Sequence, residues 1–134
     1  SNDREILERA ILTADGLLSA IHRGTGFIAG RLDSAWQPAV TWSCLTGSVQ
    51  IAHCWLMLYQ FTGADKYLGA ASAANRYVRR TIVVDGPDET RGGVKGSFPA
   101  YGNYGKYQYL NWACKFAVDA NLLEKELTGS KVFT

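Results

Sequence analysis

The chain has 134 residues, of which 47% are hydrophobic and 19% charged, and its net charge is +2. That is enough chain to bury one core but not two, and the apolar content excludes a disordered segment. The near-neutral balance, without a basic stripe, excludes a dedicated nucleic-acid surface, and no apolar run reaches the ~20 residues of a membrane span.

Periodicity predicts a first helix from about Asp3 to about Ile21. Asn2 and Glu5 have the spacing of a capping box, and Ile6, Leu7, Ala10, Ile11, Ala14, Leu17, Leu18 and Ile21 share one face. Gly24 and Gly26 end this helix, and a loop from about Gly24 to Leu45 carries Gly30, Trp36, Pro38 and Trp42. His22, at the end of the helix, complements the helix dipole. A second helix, about Thr46 to Phe61, is apolar nearly all round, which predicts enclosure on several sides. Gly63 reads as its C-terminal cap and Asp65 as the N-cap of a third helix reaching about Ile82. Arg76, Arg79 and Arg80 on that helix read as a solvated face. The polar run Asp85 to Gly93 and an aromatic loop to Leu110 follow, then a fourth helix from about Asn111 to Leu127.

An offset of 66 residues relates the two halves. Gly26 and Gly30 fall on Gly92 and Gly96, Leu56 on Leu122, and Thr62-Gly63 on Thr128-Gly129. The expected fold is therefore all-α, a single domain over residues 1–134 made of two α/α-hairpin units at about 3–63 and 65–129. Two hairpins leave their inner helices partly uncovered. The chain is thus expected to form a homo-oligomer or to pack against further hairpins of a longer chain.

The stretch Leu58-Tyr59-Gln60-Phe61-Thr62-Gly63-Ala64-Asp65-Lys66-Tyr67-Leu68 is similar to the inter-helix junction of α/α-toroid proteins. Gly92-Gly93-Val94-Lys95-Gly96-Ser97-Phe98-Pro99, followed by Asn111-Trp112-Ala113, has the same character. That superfamily includes six-hairpin glycosidases, sugar epimerases and polysaccharide lyases. The resemblance implies part of a toroid, with the loops that enter the inner helices facing a central cleft, and it carries no catalytic signature.

Four groups of residues are candidates for chemistry. Tyr101, Tyr104, Tyr107, Tyr109 and Trp112, with Trp36 and Trp42 in the equivalent loop, offer flat faces for sugar rings, or else pack the loops onto the helices. Asp33 could pair with Asp85, Asp88 or Glu89 for glycoside hydrolysis, although no carboxylate lies between Thr90 and Val118 to complete such a site. His53 falls on Asp119 at the same offset and could form an acid–base pair; the alternative is a core histidine, with Asp119 bonded to Lys115. Arg31, Arg91 and Lys95 are basic groups in or beside the loops that could meet a uronate or phosphate.

The expected function is a carbohydrate-related helical domain of a sugar-processing protein acting on acidic sugars, with lyase or epimerase chemistry suiting the carboxylate-poor loops better than hydrolysis. The alternative is a non-catalytic helical-repeat module that docks a protein. Neither a metal nor a dinucleotide motif is present, so no cofactor is expected. Cys44, Cys54 and Cys114 lack paired spacing and read as free thiols in apolar surroundings, which points to a reducing, cytoplasmic setting.

Overall fold

The computed structural model describes residues 2–129; Ser1 and residues 130–134, the two ends of the expected domain, lie outside the described residues. Among the described residues there are four helices: α1 (Asn2–Ala20), α2 (Leu45–Thr62), α3 (Asp65–Arg79) and α4 (Asn111–Thr128). Two-residue strands, β1 (Ser43–Cys44) and β2 (Ser97–Phe98), pair antiparallel, with Ser43 opposite Phe98 and Cys44 opposite Ser97. No helix of the described residues is long and apolar enough to cross a membrane.

Helix α2 is the hub. Its buried side chains Leu45, Val49, Ala52, Trp55 and Leu56 meet α3 on one side and α4 on another. The face that α3 brings is built of Ala70, Ala71, Ala73 and Ala74, whose lack of bulk lets the helices approach closely. Two core clusters result. One joins Ile28, Trp55, Leu56, Tyr67 and the α3 alanines. The other joins Leu45, Val49, Val78, Val94, Leu110, Ala113 and Ala117.

The two inner helices correspond closely in their local geometry. Each is 18 residues long, and α4 begins 66 positions after α2. Gly63 and Gly129 cap them in the left-handed region, at φ 69° and 62°. The Thr62 hydroxyl donates to the Leu58 carbonyl at 2.7 Å, and the Thr128 hydroxyl donates to the Glu124 carbonyl at 2.8 Å. In the loops, the Gly30 amide donates to the Trp42 carbonyl at 2.8 Å, and the Gly96 amide to the Gln108 carbonyl at 3.0 Å. The outer helices do not keep this offset, because the turn at residues 80–91 adds chain between α3 and the second loop.

Several local expectations need correcting. Helix α3 stops at Arg79 rather than near Ile82, and Thr81 and Ile82 donate to carbonyls only three residues back, which tightens the chain out of the helix. Asn2 and Asp65 lie inside their helices; Ala64 is the N-cap of α3. The first half of α1 holds no buried residue before Ala14: Ile6 is 60% exposed and Leu12 65%, while Leu7 and Ile11 are half-buried. Its second half is held by the Trp55 indole, which donates to the Ala14 carbonyl at 3.1 Å, and by Asp15, which accepts from Lys66 and from the Tyr67 hydroxyl. The Lys66 contact and then the Tyr67 hydrogen bond hold the Asp15 carboxyl below its usual range, while burial pushes the Tyr67 phenol up. Nor is α2 enclosed all round, since Met57 is 56% and Phe61 70% exposed.

Candidate ligand-binding loops

The β1–β2 pair stitches the loop at residues 21–42 to the loop at residues 80–110, and every candidate aromatic residue lies in or just beyond these two segments. Buried serines hold the junction. The Ser43 and Ser48 hydroxyls are 3.1 Å apart, and the Ser97 hydroxyl donates to the Tyr104 carbonyl while accepting from the Tyr104 amide. Ser97 thereby fixes the base of the tyrosine loop. Cys44 and Cys114 act as backbone acceptors here, taking the Gly47 and Val94 amides, whereas Cys54 is exposed. Burial pushes the Cys44 thiol up, which keeps it protonated.

The two tryptophans of the first loop are packing groups. Trp42 lies across Gly30, where an added Cβ would stand 2.2 Å from its ring, and against Gly102, at 2.9 Å. The ring thus wedges the first loop against the tyrosine loop. Trp36 does not face the tyrosines. It takes a positive φ of 61° and lies on Gly16 of α1, again with no room for a Cβ. Its role is to seat the first loop on that helix.

The polar candidates separate in the same way. The Asp33 carboxylate accepts the Ala35 and Gln37 amides, both at 2.8 Å, and so organises its own turn. Asp88 pairs with Arg91 in the turn after α3, which occupies the guanidinium expected to meet a ligand. The Arg31 side chain is exposed, and its carbonyl accepts the Ala39 amide. Lys95 donates to the Thr81 carbonyl at 3.4 Å and sits 5.5 Å from the Tyr109 ring centre. Arg79 is no solvated cation: it reaches the buried Glu124 at 3.0 Å and also bonds Asn121.

Of the candidate aromatic residues, those that remain open belong to the second loop and the start of α4. Tyr101 is 56% exposed, Tyr107 70% and Trp112 49%. Trp112 donates through its indole to the Tyr104 hydroxyl at 3.2 Å, which links the loop tip to the first turn of α4. Lys106 stands 5.5 Å from the Tyr107 ring, a cation within the loop that sequence reasoning passed over. Sequence reasoning also missed a ladder of edge-on rings, Phe27 to Tyr77 at 5.9 Å and Tyr77 to Phe98 at 6.4 Å, that braces both loops against α3. Their chain separations fit no periodic pattern, so only the tertiary contact reveals them.

His53 and Asp119 line a shallow cleft of about 380 Å³ between α2 and α4, together with Gln50, Cys54, Lys115 and Phe116. Asp119 is bonded to Lys115 on its own helix. Among the described residues, no three His, Cys, Asp or Glu side chains gather to hold a metal ion. No family model matches the chain, and neither a curated protein nor a solved structure matches it.

Proposed function

We propose that the edge formed by Tyr101, Tyr104, Tyr107 and Trp112 binds a saccharide, and that the chain is two hairpin units of an α/α-toroid-like repeat displaying it. The observation that carries this reading is the Trp112–Tyr104 hydrogen bond between two solvent-exposed rings. It fixes adjacent aromatic faces without burying them, an arrangement suited to the apolar face of a sugar ring. Acidic sugars fit best, and their anchors are Lys106 and Lys95 beside the tyrosines rather than Arg31 or Arg91. The residues support binding more directly than chemistry, because the carboxylates of Asp33 and Asp119 are engaged within the chain.

A stacked ring contributes about 1 kcal/mol beyond area burial, and a contact between a carboxylate and a cation about 1.5–3 kcal/mol. After the entropic cost of association, dissociation constants in the high-micromolar to millimolar range are expected. Titration of uronate and neutral oligosaccharides, followed by tryptophan fluorescence and amide chemical shifts, tests the reading. Uronates should perturb residues 101–112, and Trp112→Ala or Lys106→Ala should weaken the response about tenfold. Shifts confined to other surfaces would sink it. The second reading, a module that docks a protein helix, is favoured by an apolar groove between α1 and α2.

A further inference from the structure

The groove between α1 and α2 has a volume of about 540 Å³ and is lined by Ala10, Leu17, Ile51, Cys54, Met57 and Leu58, among others. What would fill it follows from the interface already inside the molecule. Helix α4 turns Ala117, Ala120, Leu123 and Leu127 into the core it shares with α2 and α3. At the 66-residue offset these positions on α2 are Ile51, Cys54, Met57 and Phe61. All four are apolar, and Cys54, Met57 and Phe61 are exposed. The surface that α4 buries against α2 is therefore repeated on α2 and left open.

The converse holds for the opposite face. Helix α2 buries Ala52 and Leu56 completely. Their equivalents on α4 are Val118 and Leu122, which are 55% and 54% exposed. The outer helices agree. Helix α3 packs mainly on α2 and secondarily on α4, whereas α1 has only the secondary kind of contact, with α2. An inner helix in the groove would give α1 the partner that α2 gives α3.

We infer that a second copy of this chain docks head-to-tail, with the Val118–Leu122 face of its α4 in the α1–α2 groove, repeating the internal α2–α4 contact between molecules. One end of each molecule fits the other end of its neighbour. Such an interface is heterologous, and assembly proceeds to a ring or an open array and does not stop at a symmetric dimer.

Sedimentation velocity and light scattering on the whole chain test this, using substitutions at positions exposed in the monomer. The wild type should form species larger than a monomer at high-micromolar concentration. Met57→Glu in the groove and Leu122→Glu on α4 should each weaken association by tenfold or more, with unchanged circular dichroism. Phe61→Glu and Val118→Glu provide an independent pair should either of the first two fail to fold. Mixing a groove variant with an α4 variant is the deciding arm. Each retains one intact end, so the mixture should form a one-to-one complex and nothing larger. A monomeric wild type, meaning that the groove takes some other helix or none, would overturn the proposal. So would single variants that associate as well as the wild type, or a mixture that stays monomeric.

Discussion

Gly26 and Gly92 occupy equivalent places in the two loops and both take a positive φ, +82° and +76°, yet their surroundings differ. A Cβ on Gly26 would stand 2.0 Å from the Ala73 carbonyl oxygen, a backbone atom of α3 that cannot step aside, whereas a Cβ on Gly92 would meet nothing within 4 Å. Gly92→Ala should therefore cost only the left-handed penalty of about 1–2 kcal/mol. Gly26→Ala adds overpacking against α3 and should cost about 3 kcal/mol or more. Urea denaturation of the two variants checks the ranking, and equal midpoints would show that the first loop does not approach α3 as described. From sequence alone both glycines are legible as loop punctuation. The difference between them is not, because it depends on an α3 residue far along the chain.

At the scale of elements, α3 and α4 are joined by a polar group set within the core. Asn75 donates to the Ala120 carbonyl and to Glu124, while Arg79 bonds Glu124 and Asn121. The Glu124 side chain is 7% exposed and that of Arg79 24%, so this ion pair is largely shielded from water. Removing one partner leaves the other charge without compensation. Glu124→Leu should therefore destabilise by about 3–5 kcal/mol. The double variant Arg79→Met/Glu124→Leu should recover most of that loss, because it exchanges the pair for apolar packing. Thermal unfolding of the two single variants and the double variant provides the cycle, and additive losses would mean that the pair is not coupled. The sequence shows an arginine cluster on one helix and a glutamate near the end of another. Neither periodicity nor local spacing joins them, since 45 residues separate the two.

For the whole molecule, the packing is uneven along the chain. Helices α2 and α4 share a core, whereas residues 2–13 of α1 include no buried residue, only the half-buried Leu7 and Ile11. A helix held mainly by its own hydrogen bonds and by exposed pairs such as Arg4–Glu8 opens at little free-energy cost. In dilute protein, amide hydrogen exchange should be fast across residues 2–13 and slowest in the middle of α2 and α4. Uniform protection of α1 in the monomer would contradict this. On the head-to-tail docking inferred above, raising the protein concentration should extend protection into α1 around Ala10, Ala14 and Leu17, which line the groove.

The sequence by itself determined the four helices, their order and the Gly63 cap of α2, but not the N-caps of α1 and α3 or the point where α3 stops. Amphipathic spacing and the Thr-Gly ends of α2 and α4 act within one or two turns, so Asp65, Asn111, Gly63 and Gly129 could be placed without knowing any neighbour. It also brought the aromatic loop forward as a candidate site. Only the tertiary structure decided which rings stay open: Trp36 lies on Gly16 and Trp42 is wedged between Gly30 and Gly102, while Tyr101, Tyr107 and Trp112 face solvent. Likewise, the apolar stripes of α1 and α2 were plain in the sequence, but which of them would be covered was not. Hydrophobic spacing states that a face avoids water, a property of one segment. Whether another segment arrives to cover it is a property of the whole fold, set by how many helices can pack around α2 at once.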